Sequence, residues 1–356
     1  MDWLSNFRLA PGAHLRNSRA RAVVLARIDT LSAGIIPSCR MSRPPSQDSR
    51  SEPQPPKTGR VLIGPAGWSY PDWNGVVYPS HRPHGFHETS YLAEYFDTIE
   101  INTSFYSPLH PEHAAQWIER VSANDRFVFT AKLWQKLTHE DNATAADEAA
   151  VRAGFDVLHN AGRLGALLLQ FPFSFHNTPS NLVRMKQLLD CFGDYPLVVE
   201  VRHSSWAHPA FHEFLHEHRA GICNIDQPLI GRAIRPDESA TSRLGYVRLH
   251  GRRADTWFSD DPALPRHERY NYLYSERELE PWARRVRLLS AKTETTFVIA
   301  NNHFEGKGVV NALQLIHILS GNKVKVPEPL RHRYPLLESI ADAPSQEPTL
   351  FPIPPP

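Results

Sequence analysis

The stretch Gly165-Ala-Leu-Leu-Leu-Gln170, Pro179-Ser-Asn-Leu-Val-Arg-Met-Lys-Gln-Leu-Leu-Asp-Cys-Phe192, Leu197-Val-Val-Glu-Val201 reads as strand, helix, strand. Both strand runs are apolar almost throughout, as strands covered on two faces should be. Pro179-Ser180 before Asn181 is an ordinary helix start. A strand, a crossover helix and a second strand of the same type form the unit of a parallel sheet.

The same alternation runs outward from this unit in both directions. Further strand-like runs are Val61–Ala66, Thr98–Ile101, Phe127–Ala131, Gly221–Ile225, Gly245–Leu249 and Thr296–Ala300. Helical periodicity fills Tyr91–Phe96, Pro111–Val121, Glu148–Leu158, Asn181–Phe192, Pro209–Arg219, Glu276–Leu289 and Val309–Leu319. Only the sixth strand lacks an evident long helix. Eight strands with crossovers in about 260 residues predict a single (β/α)₈ barrel of the TIM type. An open doubly wound sheet is the alternative, because closure leaves no local mark.

Composition agrees. The chain has 356 residues, 41% hydrophobic and 22% charged, with a formal net charge of +1. That is a globular composition with enough apolar material for a core. The longest apolar runs fall far short of the ~20 residues a membrane helix needs. Cys39, Cys191 and Cys223 lie far apart and make no C-x-x-C pair, so neither a disulfide framework nor a thiolate zinc site is indicated, and a reducing, cytoplasmic compartment fits best. Residues 1–60 hold ten Lys and Arg against four Asp and Glu, and seven prolines; residues 327–356 hold nine prolines. The expected organisation is therefore a disordered basic, Pro-rich extension over 1–59, the barrel over 60–326, and a Pro-rich tail over 327–356. Residues 1–40 look like a targeting segment, but a translation start at Met41 is the simpler reading.

In a barrel of this kind, chemistry sits where strands end. Here those ends carry charge. The two-residue strand period puts Glu100 with Asn102, Glu200 with Arg202, and Arg248 with His250, each pair on one face. The expected catalytic groups are Glu100, Glu200, Asp226 and His250. Expected substrate contacts are Trp68, Tyr70, Asn102, Tyr106, Lys132, Arg202, Arg248, Asn301 and Asn302. Lys132, Arg202 and Arg248 suit a phosphate or carboxylate, and the aromatic residues suit a stacked sugar or base.

Competing readings stand beside these. Glu100, Glu200 and Asp226 with His203 or His250 would suit a divalent metal; ion pairs that merely neutralise one another are the blander account. Lys132 would serve as a Schiff-base nucleophile if its ammonium were destabilised. Nearby acids argue instead for a charged, paired lysine. His212-Glu-Phe-Leu-His216 matches H-E-x-x-H but falls on an outer helix away from the strand ends. Gly306-Lys307-Gly308 lies at the eighth strand–helix junction, where barrel phosphate sites form.

The strand-end strings also carry a family resemblance. Gly64-Pro-Ala-Gly-Trp-Ser-Tyr-Pro-Asp-Trp-Asn-Gly-Val-Val-Tyr-Pro79 resembles the N-terminal signature of the YecE-like proteins, a domain-of-unknown-function family. Glu100-Ile-Asn-Thr-Ser-Phe-Tyr106, Lys132 with Thr138-His139, Gln170-Phe-Pro172, Glu200-Val-Arg-His-Ser-Ser-Trp206, Tyr246-Val-Arg-Leu-His-Gly251 and Asn301-Asn-His303 follow in order. Pro65-Ala66 and Ala300 depart from the usual residues. The resemblance covers about residues 60–325 and implies a TIM-type barrel without supplying an activity.

The functional expectation is an enzyme that hydrolyses or transfers on a phosphate-bearing substrate, a small molecule or a nucleic acid. A Schiff-base lyase through Lys132 and a non-catalytic binding module are the alternatives. Gln346-Glu-Pro-Thr-Leu-Phe351 resembles a bacterial sliding-clamp ligand, in which Gln supplies amide hydrogen bonds and Leu-Phe fills an apolar pocket. Against it stands a Pro-rich end with a chance apolar pair. No membrane contact is expected.

Overall fold

The structure, a computed structural model, describes residues 59–342 except 141 and 259–263. The expected extension over 1–59 and the tail motif Gln346–Phe351 therefore lie outside the described residues, save Gly59.

In chain order the elements are β1 (Arg60–Pro65), α1 (Glu88–Leu92), β2 (Thr98–Ile101), α2 (Pro111–Arg120), β3 (Val128–Lys132), α3 (Gln135–Thr138) and α4 (Ala145–Asn160). They continue as β4 (Leu164–Gln170), α5 (Pro179–Cys191), β5 (Leu197–Glu200), α6 (Pro209–Glu217), β6 (Gly221–Asp226) and β7 (Leu244–Leu249). The last are α7 (Glu276–Ser290), β8 (Thr295–Ala300), α8 (Lys307–Ser320) and α9 (Glu328–Arg333). No helix separates β6 from β7, as the sequence pattern indicates. Helix α4 starts three residues before the expected Glu148, because Thr144 and Asp147 form a reciprocal capping box.

All strand pairs are parallel, in the order β1-β8-β7-β6-β5-β4-β3-β2. The circle closes beyond the end of β1, where Ala66 bridges Glu100 and the Gly67 amide donates to the Glu100 carbonyl at 2.8 Å. Closure settles the choice in favour of a (β/α)₈ barrel over an open sheet. Gly64 makes the approach possible, since a Cβ there would stand 1.9 Å from the Thr98 carbonyl oxygen.

Strand parity sorts the apolar residues into two cores. Leu62, Ala166, Leu168, Val198, Ile225, Phe297 and Ile299 fill the barrel lumen. Ile99, Phe129, Leu167, Val199, Val247 and Val298 face the helices. Burying these side chains contributes about 1.5–3 kcal/mol each. The folded region also runs past the expected boundary at 326. Leu330 of α9 and Leu337 are fully buried against the barrel core. Proline at the first turn of α9 is compatible with helix, so proline content is a poor guide to disorder there.

Candidate functional site

At the carboxyl ends of the strands, inward parity turns from apolar to charged. On β5, Val198 faces the lumen and Glu200 is the next inward residue; on β7, Tyr246, Arg248 and then His250 follow the same face. Arg248 has no exposed surface. Its Nη1 donates to Glu200 Oε2 at 2.6 Å and to Gln170 Oε1 at 3.2 Å, and its Nη2 to Glu100 Oε1 at 2.8 Å. The Tyr246 hydroxyl donates to Glu100 Oε2 at 3.0 Å and meets Thr130 Oγ1 at 2.9 Å. Arg202 Nε and Nη2 donate to Glu200 Oε1 at 2.9 and 2.8 Å. Two buried carboxylates are thus held by two guanidinium groups.

The remaining members sit around this core. Lys132 Nζ lies 3.5 Å from Glu100 Oε1. The Asn301 amide nitrogen donates to His250 Nδ1 at 3.0 Å, which leaves the ring proton on Nε2, 3.4 Å from Glu200 Oε1. Burial works against the Glu200 carboxylate, but Arg248 and Arg202 outweigh it and hold the group well below its ordinary range. Burial pushes His250 down to about 3 despite Glu200, so it is neutral. Burial, reinforced by Arg248, pushes Lys132 down to about 8 against the pull of Glu100.

Above this network lies a cavity of about 470 Å³, a size typical of small-molecule sites. Lys132 and Asn301 belong to both. Trp68, Tyr70, Tyr106, Tyr270, His267 and His303 supply the aromatic wall, and Asn102, Ser69 and Thr103 its polar spots. The Tyr70 hydroxyl donates to the Ala66 carbonyl at 2.9 Å and accepts from Asn102 Nδ2 at 3.0 Å. Its ring stacks on His303 at 4.3 Å and 7°. Burial and Lys132 push His303 down to about 4. Tyr106, 67% exposed, forms the lip.

Most sequence candidates therefore converge, but in two layers. Glu100, Glu200, Arg248 and His250 are sealed beneath the cavity; Lys132, Trp68, Tyr70, Asn102, Tyr106 and Asn301 line it. Arg202 stands between, its side chain 14% exposed. Asp226 and Asn302 do not join. With Ile225 inward, Asp226 points outward, where Arg252 binds its carboxylate at 2.8 and 3.2 Å. Asn302, one residue past Asn301, ties the Tyr272 carbonyl and Asn311 together at 2.8 Å each. One step along a strand reverses the face.

Several residues at the mouth are not among the sequence candidates. Tyr246 shares the parity of Arg248 and is readable on that ground. His267 comes from the long β7–α7 connection, which has no periodicity to orient it. Among the described residues, no three His, Cys, Asp or Glu side chains group to hold a metal. The H-E-x-x-H string lies on α6, where His216 Nδ1 meets the Thr241 carbonyl at 3.1 Å. Lys307 of the glycine-flanked string pairs with Glu305 at 3.1 Å.

Comparison with known proteins places this arrangement among relatives. YunF of Bacillus subtilis is 26% identical over 282 residues, covering 73% of this chain and 94% of that protein. YecE of Escherichia coli K12 is 28% identical over 144 residues, 40% of this chain and 48% of its own. The crystal structure of a DUF72 family protein from Thermotoga maritima superposes with a TM-score of 0.65 at 31% identity, covering 73% of this chain and 99% of that one. One from Enterococcus faecalis, at 24% identity, shares the fold with a TM-score of 0.65 over 73% of this chain and 95% of its own. Among the described residues, no helix is long and apolar enough to cross a membrane. The family described as "Protein of unknown function DUF72" matches residues 62–333, from β1 to the end of α9 and so across every strand that builds the mouth: the chain belongs to the DUF72 family.

Proposed function

We propose that this chain is an enzyme whose barrel mouth binds a small anion-bearing substrate, a phosphate or carboxylate compound with a ring that lies on the aromatic wall. One observation carries the reading. Beneath the cavity, three cations (Lys132, Arg202, Arg248) face two carboxylates (Glu100, Glu200), and the cation left in excess opens into the cavity at Lys132. An anion there completes the pairing of charges that are otherwise buried at a cost. A nucleic acid would enter this cavity only as a single unit of its chain.

The sealed layer sets the division of labour. Glu100 and Glu200 are fully buried and already bonded, so they position cations rather than activate water. Lys132, His267 and His303 remain as groups able to move a proton at the cavity surface. Hydrolysis or transfer at a phosphate would place the anion at Lys132, with His303 nearest the ring on the Tyr70 side. Free thiols at Cys191 and Cys223 support a cytoplasmic setting.

Calorimetric titration with phenyl phosphate, benzoate and neutral benzyl alcohol tests this. The two anions should bind more tightly than the alcohol, and Lys132→Ala should abolish the difference. Equal affinity for the alcohol and the anions would overturn the reading. Anion binding without turnover of any phosphate or carboxylate ester would leave a ligand-binding module instead.

A further inference from the structure

We propose that Lys132 is a nucleophile that condenses with an aldehyde or ketone to form an imine. This rests on the reading of the cavity as a substrate site, and not on the charge of the substrate. Among the described residues, Lys132 is the one primary amine in the cavity wall, and no carboxylate lines that wall.

Its surroundings differ from those of the lysines that pair closely with a carboxylate. Lys136 pairs with Asp147 at 2.9 Å, Lys325 with Glu94 at 2.6 Å and Lys307 with Glu305 at 3.1 Å. Lys132 has Glu100 at 3.5 Å, and both oxygens of that carboxylate are already taken by Arg248 and Tyr246. The stem is buried in the barrel wall, the amine stands 5.6 Å from the Phe105 ring centre, and Ser104 Oγ donates to the Lys132 carbonyl at 2.8 Å. The amine is thereby held at one place on the cavity floor.

Neighbouring acids keep most of this lysine charged, but they do not hold it at the value of an ordinary lysine. Burial, then Arg248, outweighs Glu100 and brings the group down to about 8. Roughly a tenth of the side chain is then neutral at pH 7, against well under one in a thousand for an ordinary lysine. A lysine desolvated beside a second cation is the arrangement that activates an amine.

The step balances without a co-reactant. The neutral amine's lone pair attacks the carbonyl carbon, and the carbonyl π pair moves to oxygen, which takes up a proton as nitrogen releases one. The hydroxyl of the resulting carbinolamine then takes up a second proton from solvent, its carbon–oxygen bond breaks, water leaves, and the nitrogen lone pair forms the C=N bond. The nitrogen keeps its remaining hydrogen, so the product is an iminium that carries the positive charge of the original ammonium.

Full-length protein incubated with benzaldehyde or with 4-carboxybenzaldehyde and then reduced with cyanoborohydride provides the test, read by peptide mass mapping. The expected result is an adduct on Lys132 that forms at least tenfold faster than on Lys186 or Lys325, with a rate that rises through about pH 8. Adducts spread over the exposed lysines with none on Lys132 would overturn the proposal, even if phenyl phosphate binds. Equal labelling of Lys132 by both aldehydes would sustain the imine and remove the anion preference. Lys132→Arg has no amine to condense and should lose the adduct; should that variant unfold, the pH profile of the wild-type labelling decides by itself.

Discussion

Lys132 Nζ and Arg248 Nη2 converge on the same oxygen, Glu100 Oε1, from 3.5 and 2.8 Å. The shorter contact belongs to the residue with no exposed surface, so the guanidinium takes the carboxylate and the ammonium is left at the cavity floor. Burial keeps that competition unscreened by water. The site therefore has a structural cation and a chemical one, distinguished by geometry and not by residue type.

Arg248→Met should destabilise the fold severely. It leaves Glu100 and Glu200 buried without their shared partner, and breaking a buried pair in this way costs about 3–5 kcal/mol. Denaturant unfolding checks this. Lys132→Met, which strips only the weak 3.5 Å contact, should cost much less. A comparable loss in both variants would show that Lys132 is structural as well.

Anion binding should fall as pH rises through about 8, because the ammonium that attracts the anion loses its proton there. Below that pH the affinity should level off. Titrations of phenyl phosphate between pH 6.5 and 9.5 measure it. A plateau extending to pH 9.5 would show that Arg202, and not Lys132, carries the attraction.

Acid should destabilise the protein well before its carboxylates protonate. Burial holds His250 down to about 3 and His303 to about 4, against an ordinary value near 6.5. As pH falls below 6.5 the unfolded chain takes up these protons and the folded chain does not. Stability is thus present above that pH and lost as it falls towards 4, by about 1.4 kcal/mol per pH unit for each such histidine. Thermal melts from pH 7.5 to 4 record the slope, and His250→Gln should reduce it.

Asp226→Asn separates the outward acid from the mouth. The substitution weakens the bidentate bond from Arg252 and should cost about 1–3 kcal/mol of stability. Affinity for phenyl phosphate should not change, because Asp226 does not line the cavity. A selective loss of binding at unchanged stability would return Asp226 to the site.

Leu330→Ala should cost about 2–5 kcal/mol, the range for truncating a buried leucine. Such a loss would make α9 part of the folding unit. An unchanged melting temperature would put the boundary back near residue 326.

Much of the site is legible in the sequence, because strand parity is local. Val199 and Val201 being apolar is enough to turn Glu200 and Arg202 to the other face, and the same reasoning orients Arg248 and His250. The capped helices and eight strand runs are readable for the same reason. Asp226 shows the limit: it ends a strand that is apolar or neutral along most of its length, so its own pattern does not say which face it takes.

What the sequence by itself determined is the repeat, the strand ends and the residue types delivered to each face. Only the closed barrel decided which of those residues meet. Arg248 and Glu100 are 148 positions apart, and nothing local couples them until β1 and β2 close the circle. Closure also divided one set of charges into a sealed layer and an open one. A carboxylate and an amine with the same strand parity differ only in how far each lies from water, and that depth is a property of the packed lumen and of the β7–α7 connection above it.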